Sequence, residues 1–370
     1  MRAIHYSVFC AIVLFFTVGC GKPPEPIFTQ ADLPEDGVFA ELITSRGSML
    51  AQLHVKRAPL TVTHFVALAE GTRELQIVPP GVPFYDGLIF HQVKPGFVVQ
   101  TGDPLGTGTG STGDHFPDEL HPDLQHDAPG VLSMANAMEA DTNSSQFMIM
   151  LQAQPGLNRS NAAFGKVIRG LEILPTIQLG DQLERVVIFR KGAEAEAFRP
   201  TESTFQQAKA AFIKARKGRV QVKITSQWPN AVKQPGGHFV ETLQEGKGSA
   251  PTSGQTAKIH YKIQIGEVVI DNSHEREKKL GDKALLAVPL GAGKVAPWTE
   301  AVLSAMKPGG HCRVLLPYEL AGEPKPQGLH PEHVQIWEIE LVSVATTANP
   351  PAPAAQDTAP VPDKPAAPAE

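Results

Sequence analysis

The sequence predicts a mainly β protein built as two domains, the first all β apart from one clear helix, the second a sheet with one helix. Three observations carry this. The chain holds 33 Gly and 33 Pro in 370 residues, well above the usual ~12% for the two together. Its apolar residues come in short runs cut by those Gly and Pro, the pattern of closed β structure. Its length is that of two domains, each large enough to bury a core. The same composition excludes a coiled coil and a collagen. Lys and Arg number 33 against 38 Asp and Glu, a net charge of −5. A general nucleic-acid binder shows a basic surplus, and this chain has none.

The N-terminus reads as a targeting segment over residues 1–19. Arg2 is a positive n-region, and Val8 to Gly19 is an apolar run of twelve. A bilayer span needs about 20 residues, so the run fits a signal-peptide h-region instead. It ends at Thr17-Val18-Gly19-Cys20. Small residues directly before a Cys resemble a bacterial lipobox, where that Cys is lipidated and becomes the mature N-terminus. Thr17 stands where Leu is most common; ordinary signal cleavage or an uncleaved anchor are the alternatives. Lipidation would place the chain in a bacterial cell envelope, on the periplasmic side, and Gly21 favours the outer membrane in a Gram-negative cell. Residues 20–36 follow as a polar, Pro-rich tether. Of three Cys, Cys10 leaves with the signal, and a lipidated Cys20 leaves Cys312 without a partner. No disulfide is expected, and Cys312, in the apolar stretch HCRVLLP, is expected to be buried.

The first folded region spans 37–191. It opens with two strand-like runs in FAELITSRGSMLAQLHV around the turn Ser45-Arg46-Gly47. A helix follows, with Pro59 in its first turn, Val62, Phe65, Val66 and Ala69 on one face, and Gly71 as its stop. Gly106 to Gly110 (GTGTG) has the look of a phosphate loop, but no GK[ST] follows it. His115, His121 and His126 stand among acids in DHFPDELHPDLQHD. Their spacing matches no standard ligand pattern, so a polar surface loop is expected and no metal.

Residues 192–218 read as a helical linker, with Ser203 and Gln206 placed for a capping box and Gly218 as its end. The basic run KARKGR (214–219) reads as a solvated helix end. The second folded region, 219–345, has strand-like runs VQVKI, AKIHYKIQI, EVVID, CRVLLP and VQIWEIELVSV, and a helix around Trp298–Met306. Residues 346–370 hold seven Pro amid Ala, Thr and Asp and read as a disordered tail.

The most informative motifs lie between 84 and 167: F-H-x-V-x-P-G-F-x-x-Q-x-G-D (90–103), GTGTG (106–110), PGVLSMANA (129–137), SQFMI (145–149) and FGKV (164–167). Together they resemble the cyclophilin-type peptidyl-prolyl isomerases over roughly 37–190. The resemblance implies a closed eight-stranded β-barrel capped by two helices, and an enzyme without cofactor or metal. Such chemistry needs no nucleophile. An X–Pro bond prefers trans by only ~0.5–1 kcal/mol, but rotation faces a barrier of ~18–20 kcal/mol. The catalyst holds proline in an apolar pocket, grips the flanking backbone and donates a hydrogen bond to the prolyl nitrogen as conjugation breaks. By matching motifs, Phe97, Val98, Met148 and Leu157 fall where the family lines its proline pocket. Gln100, Ala135, Asn136, Ala137 and Gln146 fall where it grips backbone. Gln92 replaces the family's Arg donor, and Met148 stands where an aromatic wall is common. Gly156 and Asn161 replace rim Trp and His. Gln92, Phe97, Gln100 and Asn136 are the expected catalytic set, with lowered turnover because Gln92 carries no charge.

Residues 238–344 resemble the FKBP-type isomerases. The carrying residues are Gly254-Gln255-Thr256, His260-Tyr261, Val269 to Ser273, Pro289-Leu290-Gly291, Trp298 to Ala301, Met306 to Gly309, Pro317 to Gly322 and Ile336 to Leu341. The implied fold is an antiparallel sheet over one short helix. Tyr261, Asp271, Val295, Trp298 and Trp337 would line an aromatic cup for proline; a purely structural core role for Tyr261, Trp298 and Trp337 is the alternative. The family's A-Y-G has lost its Tyr at Ala321-Gly322, and Ala296-Pro297 replaces I-x-G. An aromatic of the cup is replaced by Leu286 or Val288. The whole chain is then expected to be an exported, lipid-anchored foldase whose partners are Pro-containing segments of unfolded polypeptides. A non-catalytic binding module or holdase, or a first-domain enzyme with a second-domain platform, are the alternatives.

Overall fold

The computed structural model describes residues 23–322 and 329–346. The expected signal peptide, Cys20 and all but Thr346 of the Pro-rich tail lie outside the described residues. The chain divides into two compact units after Lys214.

The first unit is one antiparallel sheet. Its strands are β1 (Gly37–Thr44), β2 (Gly47–Leu53), β3 (Leu88–Ile89), β4 (Gln92–Lys94), β5 (Val98–Thr101), β6 (Val131–Met134), β7 (Phe147–Met150), β8 (Ala163–Arg169) and β9 (Gln182–Lys191). Their order is β3-β9-β1-β2-β8-β6-β7-β5-β4. The two edge strands, β3 and β4, are separated in sequence only by Phe90 and His91. The sheet therefore curls until both edges belong to one bent strand, and with β3 and β4 taken together it has the eight strands expected. Gly47 turns β1 into β2, pairing with Thr44.

Helix α1 (Pro59–Ala69) starts at Pro59 as the sequence predicts, yet it is not amphipathic. Every residue from Leu60 to Ala69 is buried. Phe65 meets Tyr85, Phe147 and Phe164 at ring-centroid distances of 5.1, 5.4 and 5.2 Å. Each such ring contributes about 1.5–3 kcal/mol by leaving water. Between residues 37 and 191, α1 is the one α-helix among the described residues. A 3-10 turn, Leu171–Thr176, adds buried Leu174. A short helix α2 (Ala193–Ala197) and then α3 (Glu202–Gln227) follow β9, and Phe205 of α3 is fully buried in the first core.

Three expectations for this unit are corrected. The stretch 20–36 is not all tether: Leu33 packs with Phe39 and Leu50, and the N–H groups of Ile27 and Phe28 donate to the buried Glu41 carboxylate at 3.0 and 3.4 Å. The acid-rich stretch 114–127 is not a surface loop, since Phe116, Asp118, Glu119, Leu124 and His126 are buried. Their polarity is spent internally, as with His126, whose two ring nitrogens meet Asn158 Oδ1 at 2.9 Å and Ser133 Oγ at 2.8 Å. The reciprocal bonds at the start of α3 join Thr201 and Thr204, not Ser203 and Gln206.

The second unit begins within α3, which runs through Gly218 to Gln227. The strand expected from VQVKI is therefore helix. Val220 and Ile224, four apart, bury one helical face with Phe239, Leu315, Val334 and Ile336. The sheet comprises β10 (Val232–Lys233), β11 (Phe239–Gln244), β12 (Gln255–Ile265), β13 (Val268–Asn272), β14 (Leu286–Pro289), β15 (His311–Pro317) and β16 (Val334–Thr346). It runs β10-β11-β15-β16-β12-β13, with β14 also on β12. Helix α4 (Ser273–Leu280) follows β13, and α5 (Pro297–Ala305) buries Trp298, Val302 and Leu303. The single helix expected here is α5; α4 is additional. Cys312 is buried and free, and burial pushes its thiol up to about 12. No helix among the described residues is long and apolar enough to cross a membrane.

One prediction follows from α1. Burial, reinforced by Arg73, pushes the fully buried His64 imidazole down from 6.5 to about 3; burial lowers His126 as well. A group depressed in the fold takes up its proton on unfolding. Its contribution is therefore full above the unfolded value and is lost as pH falls from about 6.5 toward about 3. The urea midpoint of the full chain should drop steadily below pH ~6.5, and His64→Gln should flatten that limb. A wild-type midpoint that stays level down to pH ~5 contradicts this account.

Candidate functional site

The register of the first sheet sets Gln92 opposite Gln100 and Gln100 opposite Met148. Residues directly opposite in antiparallel strands share a face, so these three form a row across β4, β5 and β7. Phe97, just before β5, and Leu157, in the 3-10 turn Pro155–Leu157, are half-buried against the same core. Met148 is 7% exposed and Val98 not at all. Val98, two residues before Gln100 and opposite Lys94, shares the face of this row but is fully covered.

A chain of amides runs beside the patch. Gln100 Nε2 donates to Gln146 Oε1 at 2.7 Å, and Gln146 Nε2 donates to the carbonyls of Gly108 and Gly110 at 3.1 and 2.8 Å. The glycine loop is itself wound round a carboxylate. Asp103 accepts from the N–H groups of Leu105 at 2.7 Å, Thr107 at 3.0 Å and Gly108. Burial works against its charge, but these donors and Gly110 prevail and hold the carboxyl below the usual range. The loop thus carries its own anion, which is why it is no phosphate site. A Cβ on Gly110 would lie 1.9 Å from Asp103 Oδ1, so only Gly fits there.

The remaining residues of the expected set hold the rim together. Ala135 N–H donates to Gln146 O at 2.9 Å. Asn136 Nδ2 donates to Ser160 O at 2.7 Å, and Ala137 N–H donates to Thr142 Oγ1 at 3.0 Å. Asn161 is buried, with Nδ2 donating to Met134 O at 3.0 Å. The Gln92 side chain makes no hydrogen bond among the described residues, so its amide donors remain uncommitted. Lys94, on the same face as Gln92, places its ammonium 5.9 Å from the Phe97 ring centroid. Asp103 and Lys94 were missed by sequence reasoning. Asp103 had a signal, the Gly-rich run directly after it; Lys94 had none.

In the second unit, the five expected residues come together. Tyr261 and Trp298 lie 5.6 and 5.3 Å from Trp337 between ring centroids, and Val295 packs against this cluster. Tyr261 hydroxyl donates to Asp271 Oδ2 at 2.8 Å. The polar handle of the cup is already engaged, however. Arg276 of α4 bonds the Tyr261 hydroxyl, lies 3.5 Å from Asp271 and sits 5.3 Å above the Tyr261 ring. Burial, then the bond to Asp271, raises the Tyr261 pKa. A cavity of about 1030 Å³ opens against Trp298, between α5 and strands β11 and β15. Of the five residues, Trp298 alone lines it.

This curled sheet with its row of amides beside an apolar patch defines a protein class, and comparison with known proteins identifies it. Residues 39–191 match the family model of cyclophilin type peptidyl-prolyl cis-trans isomerase/CLD, and residues 247–342 that of FKBP-type peptidyl-prolyl cis-trans isomerase. The chain is 48% identical over 133 residues to peptidyl-prolyl cis-trans isomerase A of Mycobacterium tuberculosis, covering 35% of this chain and 72% of that protein. It is 47% identical over 137 residues to isomerase ppi1 of Schizosaccharomyces pombe, covering 36% and 80%. A solved cyclophilin type isomerase of Cryptosporidium parvum aligns at 31% identity and a TM-score of 0.37, over 43% of this chain and 100% of that one. The chain belongs to the cyclophilin-type peptidyl-prolyl cis-trans isomerase family and carries an FKBP-type domain behind it.

Arg276 provides the prediction for this site. Removing it leaves the Tyr261 hydroxyl and the Asp271 carboxylate bonded to each other but each with an acceptor site open, so Arg276→Ala should bind a Pro-containing peptide several-fold more tightly, read by quenching of tryptophan fluorescence. The measurement is made in a chain whose first site is silenced by Phe97→Ala. Unchanged affinity would mean that Arg276 does not compete for the cup.

Proposed function

We propose that the first unit rotates X–Pro bonds in exported polypeptides, at a rate lowered by Gln92. The observation that carries this reading is the row of Gln92, Gln100 and Met148 beside Phe97 and Leu157, with the Gln92 amide donors uncommitted. Proline seats on Phe97, Met148 and Leu157, with Val98 next to Phe97. Gln100, held by Gln146, meets the substrate backbone, and the rim of Ala135, Asn136 and Ala137 guides it. Asn161 fixes that rim from below. Gln92 donates to the prolyl nitrogen as its lone pair localises. A neutral donor is roughly half as strong as a charged one. A deficit of ~1.5–3 kcal/mol in the transition state corresponds to roughly 10- to 100-fold in rate. Lys94 offsets part of that deficit by placing a cation at the pocket edge.

Turnover of an Ala-X-Pro-Phe peptide by the soluble chain 21–370 tests this. Phe97→Ala should abolish activity, and Gln92→Arg should raise kcat/KM about 10- to 100-fold. A flat wild type restored by Gln92→Arg would favour a natural binding protein over a catalyst. No turnover in either would sink the enzymatic reading of this site.

The second unit favours a holding role, supported by Arg276 on the polar handle of its cup. Two weak sites on one chain raise apparent affinity for an extended client through effective concentration. We further propose that Cys20 is lipidated and tethers the chain to the bacterial envelope, a reading supported by the run Val8 to Cys20. Labelled palmitate should enter the wild type and not Cys20→Ser; an unlabelled wild type would favour ordinary signal cleavage.

A further inference from the structure

Away from the aromatic cup, the second unit gathers a set of nitrogen and oxygen donors that prolyl isomerisation does not use. His260 on β12 and Glu340 on β16 are direct cross-strand partners. Adjacent residues of a strand point to opposite faces, so His260 and Glu340 lie on the face opposite Tyr261. Helix α4 brings His274 and Glu277 to the same place. His260 Nε2 is 3.5 Å from Glu277 Oε2, His274 Nδ1 is 3.7 Å from Glu277 Oε2, and His274 Nε2 is 3.7 Å from Glu340 Oε2. One ligand atom from each of His260, His274 and Glu277 lies within 4.8 Å of the others. Donors about 2.1 Å from a tetrahedral ion stand about 3.4 Å apart, so the spacing is that of a metal site.

Ser273 Oγ holds one edge of the His260 ring. It lies 3.1 Å from His260 Nδ1 and bonds both backbone groups of Tyr261, at 3.0 Å to O and 2.7 Å to N. His260 Nε2 is the nitrogen turned toward the Glu277 carboxylate, 3.5 Å away. A ligating His commonly has its other nitrogen fixed in this way by a second hydrogen bond. His260 is buried, whereas His274 and Glu277 are exposed, so the ion would have a fixed inner ligand and an open outer side.

We propose that His260, His274 and Glu277 bind a divalent transition-metal ion, whose remaining positions are open to water. Imidazole with carboxylate selects Zn²⁺ and its neighbours rather than Ca²⁺ or Mg²⁺, which take oxygen sets. The rings of His260 and His274 stack at 4.0 Å between centroids; binding turns the exposed His274 edge toward the ion.

Calorimetric titration of the metal-free chain 21–370 with ZnCl₂, paired with the absorption spectrum of the Co²⁺ form, tests the site. One ion per chain should bind. His274→Ala and Glu277→Gln, both exposed positions, should each weaken binding at least about tenfold and alter the cobalt spectrum. His333→Ala, in a separate His pair with His330, should bind as the wild type does. Circular dichroism confirms that each variant is folded. No stoichiometric binding, or binding that survives the His274→Ala/Glu277→Gln double variant, overturns the proposal.

Discussion

Everything in the first unit depends on a helix that has no solvent face. Because α1 is buried on all sides, each polar group it carries must find a protein partner, since an unmade buried hydrogen bond costs about 1–3 kcal/mol. The Glu119 carboxylate takes the N–H groups of Leu60 and Thr61 at 3.1 and 2.8 Å and the Thr61 hydroxyl at 2.9 Å. His64 Nε2 donates to Ser144 O at 2.9 Å, and its Nδ1 accepts from Arg73. Arg73 in turn reaches Asp114 at 2.8 Å and Glu202 at 2.6 Å and lies 3.9 Å over the Phe205 ring. The helix thereby dictates where the loops at 73, 114–119 and 144 run.

Those loops deliver the site. Next to Ser144, Ser145 O accepts from the Tyr85 hydroxyl at 3.2 Å, and Ser145 Oγ donates to Gly102 O at 2.7 Å. The approach is close: a Cβ on Gly102, whose φ is +85°, would lie 2.4 Å from Ser145 O. Gly102 hands the chain to Asp103, whose carboxylate winds the glycine loop, and the loop's carbonyls hold Gln146. Gln146 then orients Gln100. The Gln100 amide is thus fixed by a continuous path from a buried helix. A dipole held in place in this way needs no reorganisation to meet a ligand.

How much of this was legible in the sequence divides along a physical line. The motifs from Phe90 to Val167 gave the fold and assembled Gln92, Gln100 and Met148 into one row, because strand alternation and register follow from local pattern. The helix at Pro59 was legible, but its burial was not. One apolar face, Val62, Phe65, Val66 and Ala69, was expected, whereas Thr61 and His64 are buried on Glu119 and Ser144 far away in the chain. The same blindness explains the acid-rich stretch 114–127, whose charges are structural counterparts of other segments. VQVKI failed differently. Its alternating β-branched residues suit a strand, but Val220 and Ile224 also stand four apart, and packing against Phe239 and Leu315 settled the contest for helix. Local propensity is a weak prior when tertiary burial favours the other period.

In the second unit, helix α4 ties two faces of the sheet to one another, and a single residue shows how. Ser273, buried at the start of α4, bonds both backbone groups of Tyr261 and the His260 ring. Asn272 caps the helix by accepting the His274 N–H at 3.0 Å. With its first turn locked to β12, α4 has little freedom in what it presents. Arg276 is committed to the cup through Tyr261 and Asp271. His274 and Glu277 are committed to the opposite face with His260. The short first turn of α4 thus serves both faces at once, because Ser273, His274, Arg276 and Glu277 follow one another within five residues and their contacts are shared between β12 and β13.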